Sequence, residues 1–461
     1  MRPSTQLQSP TGVWFLSQLI HMLSITCAYG THINAPPSLK VSSESAPELE
    51  TLSNPESKST LCTGTASRDP KIFTIPPKVQ NGVADARFNM STPTPQLSVE
   101  SVSILDAPQL SMINSSVFDW WYFDIVSTND PRETVTVTFF TSTANAFPWL
   151  PTNESSVLIA YLWVSFSNGT VFEDYVPATI ATVQEPGTDG TGISGVGNWS
   201  STGFSWTSTN TDSSRYTKVM VSSDKLQVLG EFSLTSTLEP HLPCGVTANI
   251  STLEVAPHVG WAALVPDAAG SADITVVGSR LQFQGPAYHD KNWSDRPFVA
   301  SVSSWYWGHG QLGSYSVVWF SYLALNDPQH REYVSSYVAR NGTVIASSCQ
   351  TDSVRVRPIG SSGTSARYPP KAGDVPDGFH LAFNLGADGW LRANVSGTRI
   401  AGDGEYYFRW AGHITGEIYE GSSAANEQDS SCLQASEGGS IVTDEPMMSG
   451  SAIWEQFVLE E

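Results

Sequence analysis

The sequence predicts an all-β protein, a barrel or sandwich of meandering antiparallel strands, and three observations carry that prediction. Runs of β-branched and aromatic residues recur from residue 97 onward, at 134–142 (TVTVTFFTS), 157–167, 216–221, 226–235, 274–283, 314–323 and 333–339. Turn-forming clusters separate them: Asn129-Asp130-Pro131, Asn168-Gly169, Asn326-Asp327-Pro328, Asn341-Gly342 and Asp388-Gly389. No segment repeats apolar residues at helical spacing over a useful length. Asn341-Gly342, between two strand-like runs, reads as a type I′ hairpin, because both central positions of that turn need positive φ.

With 461 residues, 40% of them hydrophobic and 11% aromatic, the chain can bury two or more sizeable cores. Residues 31–96, rich in Pro, Ser and Glu, read as an irregular N-terminal arm. The PDAAGS stretch at 266–271 is the best place for a boundary, giving β domains at 97–268 and 269–461. Each half has an aromatic strand followed by an Asn-Gly turn (157–171 and 333–345), which leaves an internal duplication open. A net charge of -21 repels nucleic acid and anionic membrane alike, which argues against both as partners.

Residues 1–30 carry Arg2, an apolar run over 13–25 and a small-residue end at Ala28-Tyr29-Gly30. This is the layout of a cleaved secretory signal. The run is too short for stable membrane insertion. Nine of eighteen Asn residues head N-x-S/T sequons: Asn89, Asn114, Asn153, Asn168, Asn198, Asn249, Asn292, Asn341 and Asn394. Chance gives about four, so N-linked glycans and a secreted or luminal location are expected. Beyond the signal, Cys62, Cys244, Cys349 and Cys432 can form two disulfides in three connectivities, and their spacing fits no zinc pattern.

Candidate chemistry gathers where carboxylates alternate with large aromatics. In 118–124 (FDWWYFD), strand alternation puts Trp120, Tyr122 and Asp124 on one face and Asp119, Trp121 and Phe123 on the other. Trp120 and Tyr122 would wall a pocket and Asp124 bond a substrate or a partner side chain; an aromatic core strand with Asp turn caps is the plain alternative. In 288–293 (YHDKNW), Tyr288, Asp290, Asn292 and Trp293 surround His289, a candidate general acid or oriented donor. A satisfied buried polar network explains the same residues. Asn292 cannot both carry a glycan and face a closed pocket, and we expect it unglycosylated. Trp305 and Trp307 share a face that suits a flat conjugated ligand, with Tyr306 opposite. Arg409 is a candidate donor to an anionic oxygen, with His413 and Glu417 further along its segment; a salt-bridged barrel position is its plain alternative.

Three of these segments together resemble the hydroxyneurosporene synthase-like superfamily, in particular its fungal lipocalin-like Diels–Alderases. FDWWYFD is similar to the family's W-Y-F-D strand, and YHDKNW to the Y-H-D-H-N-W motif of the carotenoid hydratase branch. GHITGEIYEG at 412–421 resembles the G-x-x-x-G-E-x-Y-E-G segment of the fungal pericyclases. The resemblance implies two lipocalin-like antiparallel β-barrel or sandwich domains, no cofactor, and an apolar polyketide- or terpene-derived substrate. The signal and sequons resemble those of the secreted hetero-Diels–Alderases that join a tropolone quinone methide to a humulene-type terpene. Lys291 stands where the hydratases have a second His, which argues against water addition.

The expected function is therefore a cofactor-independent (hetero-)Diels–Alder cycloaddition, with His289, Asp290 and Arg409 as catalytic candidates. Two other classes stay open: a glycan-active or glycan-binding β-sandwich, for which Asp119, Asp124, Asp290, Glu405 and Glu417 nominally supply carboxylates, and a lipocalin-type carrier of apolar ligands.

Overall fold

A strand places alternate side chains on opposite sides, and in this chain both sides are apolar along most central strands, so each must be covered. The computed structural model describes residues 69–91, 105–152, 154–185, 193–211, 214–245, 250–325, 327, 329, 331–361, 366–419 and 447–459. They form two large curled antiparallel sheets and one small pair. The first sheet has thirteen strands among the described residues. Its centre runs Val228–Ser236, Val259–Val276, Ser279–Ser294, Phe118–Val126, Thr134–Ser142 and Leu158–Ser165 in spatial order. The second has nine, with Tyr315–Ala324, Val302–Leu312, Met448–Val458, Tyr407–Tyr419 and Trp390–Gly402 at its centre.

Three large apolar clusters follow from alternation. Trp121, Phe123, Trp199 and Trp206 fill the concavity of the first sheet, and Tyr306, Trp319, Trp410 and Trp454 that of the second. A third cluster takes side chains from both sheets, including Trp120, Tyr122, Trp261, Trp305, Trp307 and Phe457. The faces expected for 118–124 and 303–307 are the faces observed. Trp121 is fully buried, and truncating such a ring to Ala costs about 3–5 kcal/mol.

The Asn341-Gly342 turn closes the hairpin between Arg340 and Thr343, with φ of 49° and 74°. Two expectations need correction. Residues 266–271 are strand: they lie inside Val259–Val276, which pairs with Ser279–Ser294. Register shifts between Ala263 and Ala268 absorb Pro266 as a bulge. Gly270 is needed there because a Cβ would meet Ile125 Cδ1 at 2.6 Å and Ala287 Cβ at 2.7 Å. The turn-like composition thus marks a bulge, and the chain passes from first sheet to second between Ser294 and Val302. The arm needs a smaller correction: its described part is irregular for most of its length but contributes two short strands, Ile72–Ile75 pairing with Ala181–Gln184 and Asn89–Ser91 with Ile250–Thr252.

Cys244 and Cys349 form a disulfide across 105 residues of sequence. Closing a loop of that size stabilises the fold by about 4–5 kcal/mol in the chain-entropy account. Beside it, His241 bonds Ser347 and Ser335 of the second sheet. Residues 1–30, Cys62 and Cys432 lie outside the described residues. No described helix is long and apolar enough to cross a membrane.

Candidate active site

The third cluster is not filled to its centre. Phe118–Val126 pairs with Ser279–Ser294 so that Tyr122 stands opposite Asp290 and Trp120 opposite Asn292. From the second sheet, Arg409 stands opposite Glu455 and Tyr407 opposite Phe457. These residues, with Trp305 and Trp307, enclose a cavity of about 580 Å³ including its open side. Phe147 and Trp149, on the loop after Thr134–Ser142, and Tyr161 and Trp163, stacked at 4.0 Å, complete the wall. Trp149 Nε1 donates to Asp403 Oδ2, in the turn after Trp390–Gly402, at 2.8 Å.

The polar groups of this aromatic chamber sit close together. Asp290 Oδ2 accepts from Trp261 Nε1 at 2.8 Å and Tyr288 OH at 3.0 Å, and its Oδ1 accepts from Asn292 Nδ2 at 2.8 Å. Burial outweighs these donors and, helped by Glu455 and Asp124, pushes the carboxyl up to about 8. Asp290 is therefore a neutral acid at pH 7. Arg409 donates through Nη2 to Glu455 Oε2 at 3.1 Å, and its guanidinium lies 5.1 Å from the ring centres of Tyr122 and Trp163. Burial opposes its charge, but Tyr122, Tyr407 and Glu455 outweigh burial and raise its pKa. Burial raises the Glu455 carboxyl, against the lowering effect of Arg409 and Tyr407. The buried atoms of the wall that have no partner among the described residues include Arg409 Nη1, Trp305 Nε1 and Asn292 Oδ1. Unpaired polar atoms in a dry chamber are costly unless a guest or water completes them.

Residues 78–357, more than half of the chain, match the Diels-Alderase-like family. The chain belongs to that family. The quinolone epoxide rearrangement protein asqO of Emericella nidulans is 34% identical to it over 72% of this chain and 89% of its own length. The Diels-Alderase ucsH of Acremonium sp is 25% identical over 54% of this chain and 59% of its own length. Among solved structures, CghA with Sch210972 superimposes with a TM-score of 0.58 at 15% identity, over 82% of this chain and 98% of CghA, and shares the fold.

In this Diels-Alderase-like chain the residues expected from sequence divide sharply. Trp120, Tyr122, Asp290, Asn292, Trp305, Trp307 and Arg409 all line the cavity. Tyr288 and Asp124 stand just behind it. Tyr288 holds Asp290, while Asp124 accepts from Tyr122 OH at 2.6 Å and meets His309 Nε2 at 2.8 Å, joining the two sheets.

His289 and Trp293 do not reach the site. The residues alternating with Tyr288, Asp290 and Asn292 point into the first sheet's concavity. His289 stacks on Phe123 at 3.9 Å and bonds Asp106 Oδ1 and Tyr122 O, each at 2.9 Å. Burial lowers its pKa, against the raising effect of Asp106 and the Tyr122 carbonyl. Trp293 Nε1 donates to Arg87 O. His413 is exposed, and Glu417 accepts from Tyr419 OH away from the cavity. Sequence reasoning missed Glu455, although IWEQF repeats the carboxylate-among-aromatics pattern that flagged FDWWYFD. Sequons behave consistently with the site: Asn89, Asn168, Asn198, Asn341 and Asn394 are exposed, while Asn292 is 3% exposed with its Nδ2 engaged.

Proposed function

We propose that this chain is a cofactor-independent pericyclase of fungal secondary metabolism, catalysing a hetero-Diels–Alder addition between a tropolone-derived quinone methide and a humulene-type terpene. The observation that carries this reading is a cavity with aromatic walls, enclosed by both sheets, in which the Arg409 guanidinium keeps a free N–H. Membership of the Diels-Alderase-like family supports the reaction class, and CghA supports the fold.

The chamber's first contribution is orientation. Stacked against Trp and Tyr rings, diene and alkene are held in a near-attack geometry rather than meeting by diffusion. Its second is polarisation: Arg409 donates to the oxygen of the heterodiene, and each 1.4 kcal/mol or so of differential stabilisation is tenfold in rate. Formation of the quinone methide needs loss of water from a benzylic alcohol. Asp290, neutral at pH 7, gives its proton to the leaving hydroxyl while the ring oxygen, bound as its anion, pushes electrons into the exocyclic C=C bond; water departs, and the carboxylate takes a proton back from solvent before the next turnover. His289, the acid expected from sequence, is behind the wall.

A second reading, acid-assisted rearrangement of an epoxide, is favoured by the identity to asqO across nearly all of that protein. The same two donors would open a C–O bond. Residues 1–30 we read as a cleaved signal, which puts the reaction in the secretory lumen or outside the cell; the mature N-terminus of secreted protein tests this.

Purified protein incubated with a tropolone alcohol and humulenol should give stereochemically enriched adduct. Racemic adduct at the uncatalysed rate would refute the proposal. Turnover of a quinolone epoxide without adduct formation would select the second reading, and binding of the terpene without any product would make the protein a carrier.

A further inference from the structure

Asn292 Nδ2 and Asp290 Oδ1 are 2.8 Å apart, a distance that serves N–H···O and O–H···O equally. Which end of an amide faces its partner follows from the hydrogen-bond network rather than from atomic positions. With Nδ2 on Asp290, Asn292 Oδ1 is a buried acceptor with no partner at the cavity wall. A neutral Asp290 reverses this assignment. Its Oδ2 already accepts from Trp261 and Tyr288, so its proton belongs on Oδ1, where it needs an acceptor. Asn292 Oδ1 becomes that acceptor, and the amide N–H₂ turns to the position Oδ1 vacates.

We propose that Asp290 and Asn292 act as one proton-bearing unit that presents an N–H donor to the cavity, and that this donor and Arg409 Nη1 together recognise an oxygen anion, the deprotonated form of an acidic enol or phenol. The two donors line one cavity. Asp290 and Asn292 lie opposite Tyr122 and Trp120, and the guanidinium sits over the Tyr122 ring. Trp305 Nε1, also unpartnered on the wall, adds a third N–H. The groups facing Asp290 are Tyr288, Trp261 and Tyr122 of the first sheet and Arg409 and Glu455 of the second, with Asp124 and His309 behind. Among these Arg409 is the cation, paired with Glu455, and Glu455 and Asp124 are the carboxylates whose charge raises the pKa of Asp290. Deprotonating Asp290 places a second anion beside the guest, so anion affinity must fall as pH rises through about 8.

The inference deepens the proposed function by naming the binding group of its ligand, and it rests on this cavity being the ligand site. Its test uses full-length protein and 4-nitrophenol, whose colour reports its own protonation. The bound probe should be the yellow anion at a pH where the free probe is mostly neutral. Affinity should drop about tenfold as pH rises through about 8. Asn292→Asp should weaken anion binding about tenfold or more, and Asp290→Asn should abolish the pH step. A probe bound as neutral phenol, no binding, a step that survives Asp290→Asn, or an Asn292→Asp variant that binds the anion as wild type does would each overturn it. The wild-type titration needs no variant to fold. Anion binding without turnover of the tropolone alcohol would remove the proposed reaction and leave this inference standing; turnover without anion binding would do the reverse.

Discussion

One strand, YHDKNW within Ser279–Ser294, carries two buried polar sets with opposite fates. Towards the concavity of the first sheet, Lys291 Nζ meets Asp119 Oδ1 at 2.5 Å and lies 3.3 Å from the Trp121 ring centre, and His289 is held by Asp106. Towards the cavity, Asp290 and Asn292 are held on one side only. The closed face has unpaired atoms too, since Arg215 pairs with Asp106 through Nη2 while its Nε and Nη1, and the Nε1 of Trp206, have no partner among the described residues, but there they are packed in with no cavity beside them. Residue type does not separate structure from chemistry here. His289 and Lys291 are the more reactive side chains in free solution, yet they are packed against tryptophan and phenylalanine with nothing to react with. What marks the site is unpaired hydrogen-bonding capacity beside empty space.

The contrast breaks most visibly at Lys291. Lys291→Met strands the buried Asp119 carboxyl and should cost about 3–5 kcal/mol in denaturant unfolding, while turnover per folded molecule stays near wild type. Arg409→Met should do the opposite, lowering turnover about a hundredfold with a smaller loss of stability, because Glu455, already pushed up by burial, can take a proton.

Asp290 sharpens the comparison through pH. Its folded pKa of about 8 lies above the ordinary 3.8, so the folded form holds a proton that unfolding releases. Its stabilising contribution is full below about pH 4 and is lost as pH rises to about 8. Asp290→Asn should therefore gain stability relative to wild type over that window, by about 1–3 kcal/mol at its upper end, read from melting curves at several pH values. The smallest effect belongs to Trp149→Phe, which keeps the ring contacts with Phe298 and Phe457 but loses the bond to Asp403. About 0.5–1 kcal/mol of stability should go with it.

Much of this was legible before any coordinates. Period-two alternation put Trp120 with Tyr122 and Trp305 with Trp307, and those pairs do face one cavity. The same rule separates His289 from Asp290, and proximity in sequence obscured it: neighbours on a strand face opposite ways. Pro266 and Gly270 read as a boundary because bulges and turns use the same residues. Glu455 and Asp106 were illegible as partners because their mates, Arg409 and Arg215, are brought to them only by strand pairing and by packing across the sheet. The Cys244–Cys349 pairing was one of three possibilities until the fold placed the two cysteines together.

The most direct measurement is turnover per folded molecule for Arg409→Met and His289→Phe side by side, on a substrate pair that wild type converts. A fall of about a hundredfold in the Arg409 variant, with the His289 variant close to wild type, is the expected result. If the histidine variant folds and is inactive while the arginine variant works normally, the chemistry lies on the other face of the strand and the cavity is not where it happens.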